Sequence, residues 1–570
     1  MKWYIWISLT VLAFTAALLV AMQKPAKAPL TVSQINEWKK QSIGCSGFIS
    51  VPEDFLQKTI EIKTGIGEFN LSIATKSAEA QKFFNQGMAF VYNFEYVQGA
   101  RSFYTALQYD TTAMIYWGLA NAYDGLGDTT QARNVIAKAF ALADNLTPRE
   151  KMFIQLQYES EQSAWDSAQT HQQQQKMESL MDEANSEFAN DAEMWAFTGM
   201  FRFDYHSPDG ETAEQASRHT IDDYLLKSQQ LQYNHFGVWH ILIHANEGAT
   251  DFKKALEYGA MYTKAAPAIP HAWHMYAHDL MKTGRVEEAI EKFTYAFTLE
   301  QQKYKTENMP AHYDWHHAHN MELLAYCYQY LGKYKDAERI FSELDTLTPF
   351  NPYRMGQMRK GHPYFLIHNN RLDEAIELAQ KLSATSQWQN RGQGYLIEGL
   401  ANVFKGNAAA ARNCYQKGIF IIDSVRNDDL KKGIPLSTIE ERSSYAYARM
   451  NMVKMGIGLL ENPYDTTFVN QMDKIQSTLL RQTGPDPWID ALYFMQMLTQ
   501  LSLKTGNLAL AETSANNMIK HDPNYPGTYW LLAQIKYKQG EVVKANEYLA
   551  KAKIGYNKAD KELQDRLKFP

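Results

Sequence analysis

Residues 113–141 read AMIYWGLANAYDGLGDTTQARNVIAKAFA, and their apolar side chains recur three and four residues apart on both sides of Gly127. That spacing predicts two amphipathic helices joined by a tight turn. Tyr116, Leu119, Ala120 and Tyr123 line the first helix, and Ala132, Ile136 and Ala139 line the second. The alanine five residues past the turn marks where the helices touch, because a small side chain lets two backbones approach. The arrangement returns along the chain: Thr250, Gly284, Gly332, Gly406, Gly506 and Gly540 take the turn position, with Ala255, Ala289, Ala337, Ala411, Ala511 and Ala545 five residues on. Thr250 to Gly284 and Gly506 to Gly540 are both steps of 34 residues.

A 34-residue helix–turn–helix period is that of the tetratricopeptide repeat, in which each unit buries its apolar face only against its neighbours. The predicted fold class is therefore all-α, a tetratricopeptide-repeat solenoid. Tyr529, Leu532, Ala533, Gly540, Ala545, Leu549 and Ala552 fill the same slots near the C-terminus, whereas 145–235 and 420–495 are helical in period but fit the repeat poorly. Residues 58–74, KTIEIKTGIGEFNLSIA, alternate apolar and polar side chains around Gly65 and Gly67, which predicts a short N-terminal β-hairpin. The expected organisation is a leader or anchor at 1–28, an N-terminal segment with the hairpin at 29–76, a histidine-bearing repeat array at 77–345 and a second helical array at 346–570.

With 45% hydrophobic and 21% charged residues the chain of 570 is a folding one, and its net charge of −6 supplies no basic field for nucleic acid, which is not an expected partner. Three cysteines, Cys45, Cys327 and Cys414, make no disulfide framework. Trp3 to Met22 is twenty residues without a charge, preceded by Lys2 and followed by Lys24 and Lys27. Such a segment is a secretory signal or a membrane anchor. The expected location is periplasmic, or membrane-tethered and facing the non-cytoplasmic side.

Three stretches extend the pattern beyond generic repeats: Ala80 to Gly87 (AQKFFNQG), Ala100 to Phe103 (ARSF) and Ala113 to Ala120 (AMIYWGLA). With His240 to Glu247 (HILIHANE), Pro270 to His278 (PHAWHMYAH) and His319 to Ala325 (HNMELLA), the chain resembles a large bacterial family of exported tetratricopeptide-repeat proteins over roughly 68–345. That resemblance implies the repeat fold and export. Where the family has Asn-His, this chain has Glu95-Tyr96, and where it has a second histidine after His-Asn, this chain has Glu322.

Ten of the 16 histidines fall within 235–319. Counted back from the turns, His240 and His274 share position 5 of their helices, His244 and His278 share position 9, and His271 and His319 share position 2; Glu247 and Glu322 fall at positions 12 and 5. Positions 2, 5, 9 and 12 form one helical stripe, expected to line the concave groove. Stacked helices then bring His240, His244, His274 and His278 to one side, with His271, His319, Glu247 and Glu322 completing a site or holding it in place. Imidazole and carboxylate together suit zinc, copper, iron, nickel or manganese, and eight candidates exceed one ion's needs. The 48-residue step from Gly284 to Gly332 contains an insertion near 301–314 that brings in His312, with His316 and His317 just after it.

No HExxH, GxxxxGK[ST], GxSxG or GxGxxG motif occurs. Three functions remain at this level. One is a binding scaffold for a protein or peptide in the concave groove, with the metal site as part of it. Another is a metal-dependent enzyme of hydrolase or oxidase type with Glu247 or Glu322 as general base. The last is a metal-free groove whose histidines bind acidic peptides when protonated.

Overall fold

The computed structural model describes residues 49–569 apart from 163–169, 205–209, 248–252, 350, 352–354, 433, 435, 482 and 483. The expected leader at 1–28 and Cys45 lie outside the described residues. No helix among the described residues is long and apolar enough to cross a membrane.

The described chain is a succession of antiparallel helix pairs. Ten helices build the region of interest: α1 (Ala78–Tyr92), α2 (Tyr96–Leu107), α3 (Phe236–Asn246), α4 (Lys253–Ala265), α5 (Pro270–Lys282), α6 (Val286–Glu307), α7 (Trp315–Tyr330), α8 (Tyr334–Thr346), α9 (Gly361–His368) and α10 (Pro485–Thr505). The turn glycines behave as the repeat requires. Gly284 and Gly332 sit at φ 78° and 72°, and the amides of Arg285 and Lys333 close back onto the Leu280 and Tyr328 carbonyls at 2.9 Å. This left-handed cap satisfies carbonyls that a helix end would leave bare. The alanines five residues after the turns, Ala132, Ala255, Ala289, Ala337, Ala411, Ala511 and Ala545, are all fully buried. Where the repeat fits poorly the helices lengthen, as in Ala408–Lys432 and Leu436–Glu461.

Residues 58–74 differ from expectation. Gly65 and Gly67 turn the chain with φ of 73° and 94°, and the apolar side chains of Ile60, Ile66, Phe69, Leu71 and Ile73 are buried, but the two legs form no strand pair. Their backbone amides bond instead to helix side chains: Lys63 to Gln86 (2.7 Å), Ile73 to Gln81 (3.0 Å) and Ala74 to Glu150 (2.9 Å). Alternation reported correctly that one side is buried. It could not report that the hydrogen-bond partners are side chains of α1 and of the helix Pro148–Gln162 rather than a second strand, since both satisfy the buried amide.

The core forms two large clusters that meet within α5, where Met275 belongs to the N-terminal one and Ala277 to the C-terminal one. The C-terminal helices then fold back across the middle repeats. Tyr493 of α10 donates to the Tyr326 carbonyl (2.8 Å), Tyr330 donates to Asp522 (2.7 Å), and the Asp560 amide donates to the Gly332 carbonyl (3.0 Å). The concave side of α7 is consequently covered by the chain itself.

Candidate metal centre

Seven of the eight residues of the stripe sit on three consecutive first helices of the repeats, α3, α5 and α7, and Glu247 caps the C-terminal end of α3. Two groups of three histidines emerge, each with ligand nitrogens mutually within 4.8 Å: His240, His244 and His271, and His274, His278 and His319. Each takes the position 5 and position 9 histidines of one repeat and the position 2 histidine of the next. Helix stacking has therefore produced the same triad twice, one repeat apart, rather than a single four-histidine centre.

In the first triad His240 Nδ1 lies 2.6 Å from the Tyr92 carbonyl. A carbonyl only accepts, so Nδ1 carries the proton and Nε2 holds the lone pair. That Nε2 lies 3.1 Å from His244 Nε2 and 2.9 Å from His271 Nε2. Glu247 Oε2 stands 3.4 Å from His244 Nδ1, so this imidazole too is braced from behind. The second triad repeats the device. Asn320 donates its Nδ2 to the Phe293 carbonyl (3.0 Å), which fixes its Oδ1 as the acceptor of His274 Nδ1–H (3.0 Å). His274 Nε2 is then a buried lone pair with no hydrogen-bond partner. An oxygen acceptor on one ring nitrogen, fixing the tautomer that leaves the other nitrogen bare, is the support that metal-ligating histidines use.

Glu247 joins the two groups, since its other oxygen lies 3.7 Å from His278 Nδ1. Burial pushes its acidity down, yet the His244 and His278 imidazoles overcome that and hold the carboxyl well below its ordinary range. Burial, reinforced by the neighbouring imidazoles, pushes His240, His271 and His274 well below the usual histidine range, and burial brings His319 down to about 4. At neutral pH these rings are uncharged, the form that binds a cation. Glu322 is placed differently: it lies under the Gly361 amide beside Lys360, and burial raises it to about 8, so it stays protonated at neutral pH. It belongs to neither triad.

The stripe lies buried within the fold. His240, His271, His274 and His278 are 2% exposed or less. Phe94 covers the first triad, its ring 4.3 Å from that of His240, 5.6 Å from His244 and 5.8 Å from His271. It does so from a left-handed turn at φ 57°, where a bulky side chain is strained. The insertion near 301–314 closes the flank. It extends α6 to Glu307, so that Lys303 pairs with both Glu95 (2.7 Å) and Asp314 (2.6 Å) and Glu307 pairs with Arg101 (2.7 Å). Burial raises Glu95 to about 7 in spite of Lys303. An alanine at the histidine positions of the stripe would thus leave a cavity.

The other histidines of the cluster have separate duties. His235 caps α3 and pairs with Glu193 (3.1 Å), His312 meets the Tyr313 ring edge to face, and His317 pairs with buried Glu300 (2.7 Å). His316 packs on His271 with ring centres 4.1 Å apart, and Asp314 stands 3.4 Å from its Nδ1. Asp279 is buried and protonated, burial and nearby Glu247 raising it well above the ordinary range, so it is no solvated charge. The sequence carried a sign of Asn320, adjacent to His319, but none of Tyr92, Phe94 or Asp486, which arrive from the end of α1, the turn after it and the start of α10.

A tetratricopeptide-repeat profile matches residues 114–146, the stretch whose helices pack as that repeat does. Among solved structures, an IFIT1 monomeric mutant with Gppp-AAAA is similar at 11% identity, covering 85% of this chain and 91% of the other, with a TM-score of 0.32. The human IFIT1 dimer with m7Gppp-AAAA matches at 11% identity over 84% and 90% with a TM-score of 0.32, and the APC/C hetero-tetramer Cut9-Hcn1 at 12% over 86% and 90% with 0.29. No curated protein matches the chain. The helix pairs, their left-handed turns and their buried alanines define a tetratricopeptide-repeat solenoid, a class of binding scaffold.

Proposed function

We propose that this chain is an exported repeat scaffold that holds transition-metal ions at its two histidine triads. The observation that carries the metal reading is the paired tautomer: His240 and His274, at the same position of successive repeats, each spend Nδ1–H on an oxygen and turn a bare Nε2 toward two further imidazoles. Three imidazoles, with no thiolate among them, suit zinc, copper, iron, nickel or manganese. Such an ion supplies Lewis acidity where a coordination position stays open, and storage or bracing where none does. Glu247, ionised between the triads, orients His244 and balances the added positive charge. Because the chain itself fills the concave side at α7, a protein or peptide partner binds elsewhere on the solenoid.

The test is elemental analysis of protein purified without a histidine tag, then incubated with zinc, copper, iron, nickel and manganese in turn. Two equivalents of one metal are expected, and one in His274→Ala/His278→Ala. Wild-type protein that binds none of the five refutes the reading. Export rests on the uncharged Trp3 to Met22 segment. A reporter fused at the C-terminus is expected outside the cytoplasm, and signal confined to the soluble cytoplasm refutes it.

A further inference from the structure

The stripe that carries the histidines does not end with them. Asn370 takes the turn position of the next repeat: its φ is 59°, the Arg371 amide closes onto the Leu366 carbonyl (2.9 Å), and Ala375 is buried five residues on. Counted back from that turn, Lys360 and Tyr364 hold positions 5 and 9, and counted back from Gly406, Gln393 holds position 2. They are the counterparts of His240, His244 and His271. Gln393 reaches back to the preceding repeat as His271 does, donating its Nε2 to the Tyr364 hydroxyl oxygen (2.6 Å). The register is unchanged, but an ammonium, a hydroxyl and an amide stand where the first triad has three imidazoles.

Arg449, from the helix Leu436–Glu461, enters this group. Its Nη2 donates to the Tyr364 hydroxyl (3.1 Å) and to Gln393 Oε1, and the rings of Tyr445 and Phe494 lie 5.6 and 5.4 Å from the guanidinium. All four partners are neutral. Asp490 of α10 is matched to Lys360, and no carboxylate pairs with Arg449 among the described residues. A guanidinium keeps its charge at any working pH, and a charge drawn out of water without a counter-charge is costly. The donors around it are also unspent. Arg449 Nε is buried without a hydrogen-bond partner. The Tyr364 oxygen already accepts from both Gln393 and Arg449, so its own O–H points away from them, with no acceptor among the described residues. Gln389, one turn before Gln393 on the same helix face, has both amide atoms buried and unpartnered.

We infer that Arg449 and Tyr364 form a carboxylate-binding site, at which the carboxylate of a peptide or amino-acid-like ligand supplies the missing negative charge. The inference rests on the reading of the chain as a binding scaffold, to which it adds the chemistry of the partner, and it stands apart from the metal. Two aromatic rings hold the guanidinium, so its edge is what remains to bind, and a planar carboxylate is the acceptor that a guanidinium edge fits. Tyr364 O–H adds a second donor type. One unmatched cation, with Lys360 already paired, suits a single carboxylate better than a doubly charged phosphate. Along one stripe the solenoid thus passes from groups that bind a cation to groups that bind an anion.

The experiment is calorimetric titration of the untagged full chain, with a metal chelator present, using three probes: N-acetylphenylalanine as the free acid, the same compound as its amide, and N-acetylglutamate α-amide, which offers a side-chain carboxylate alone. At least one acid is expected to bind and the amide not, and which acid binds tells a chain-terminal carboxylate from a side-chain one. Arg449→Gln should weaken the bound acid about ten- to a hundredfold, the loss of hydrogen bonds to a charged group. Arg449→Lys keeps the charge but not the fork and should recover only part. Tyr364→Phe removes one hydroxyl and keeps the ring, so it should weaken the acid severalfold while the urea midpoint without probe stays near that of wild type. The acid should raise the urea midpoint of wild type and leave that of Arg449→Gln unmoved. If neither acid binds, or if Arg449→Gln and Tyr364→Phe bind the acid as tightly as wild type, the inference is overturned and Arg449 is a packing residue. An amide bound as tightly as the acid overturns the carboxylate site and leaves the scaffold reading standing; zinc content, read on protein without chelator, bears on the triads alone.

Discussion

Substituting His274 by alanine separates what the second triad does as packing from what it does as a ligand. The ring is 1% exposed and lies against Phe293 with centres 5.4 Å apart. Removing it leaves a cavity and strips the buried Asn320 oxygen of its donor, the latter alone costing about 1–3 kcal/mol. Truncations of large buried side chains cost about 2–5 kcal/mol in all. That loss should appear with a chelator present. Zinc at a hundred times its dissociation constant adds about 2.7 kcal/mol per site. Wild type gains from both sites and the variant from one, so the deficit should widen by about 2.7 kcal/mol when zinc replaces the chelator. Native-state hydrogen exchange at the amides of α5 and α7 reads these local opening free energies directly. An equal deficit in zinc and in chelator would show that the second triad gains nothing from metal. No deficit in chelator would refute the claim that His274 is part of the core.

The histidines also set a direction for pH. Folded pKa values of His240, His271, His274 and His319 lie below the unfolded value near 6.5, so the unfolded chain takes up protons first, and their stabilisation is complete above pH 6.5 and lost as pH falls toward 4. For His319 alone, shifted to about 4, the loss is about 3 kcal/mol, and a urea midpoint that does not fall between pH 6.5 and 4 would contradict it. Metal occupancy should fall through the same window, measured by elemental analysis after gel filtration at each pH. Truncation after Gly406 removes Tyr493, Asp522 and Tyr525 from their places on Tyr326 and Tyr330, so the fragment should bind a hydrophobic dye and aggregate; a soluble fragment with one cooperative unfolding transition would show the halves to be independent. Phe94→Gly should relieve the left-handed strain and uncover the first triad, speeding zinc transfer from that site to a coloured chelator severalfold; an unchanged rate would show that the ring covers nothing.

The solenoid was legible because it is built from local relations. A turn glycine, an alanine five residues on and apolar side chains three and four apart are fixed within one helix pair, and Gly284 with Ala289 or Gly332 with Ala337 behave in the structure as their spacing requires. The histidine stripe was legible for the same reason, since positions 2, 5 and 9 of a repeat share a face wherever the repeat occurs. Residues 58–74 show the limit: period two reports a buried side and is silent on what accepts the hydrogen bonds, and Gln81, Gln86 and Glu150 took the place of a strand.

By itself, then, the sequence determined the repeat, its register and the six histidines that share one stripe. Tertiary structure decided how those six divide, because His271 and His319 each reach back to the pair on the preceding helix, and it placed Glu322 under Gly361 instead of beside them. It also decided that the stripe is buried. Phe94, Lys303 and Asp486 come from positions 146, 63 and 246 residues away from His240, brought in by a strained turn, an extended helix and the return of the C-terminal array. Periodicity describes what one helix presents to its neighbours, whereas closure depends on where a long superhelix meets itself, and that is set by the sum of small rotations between many repeats.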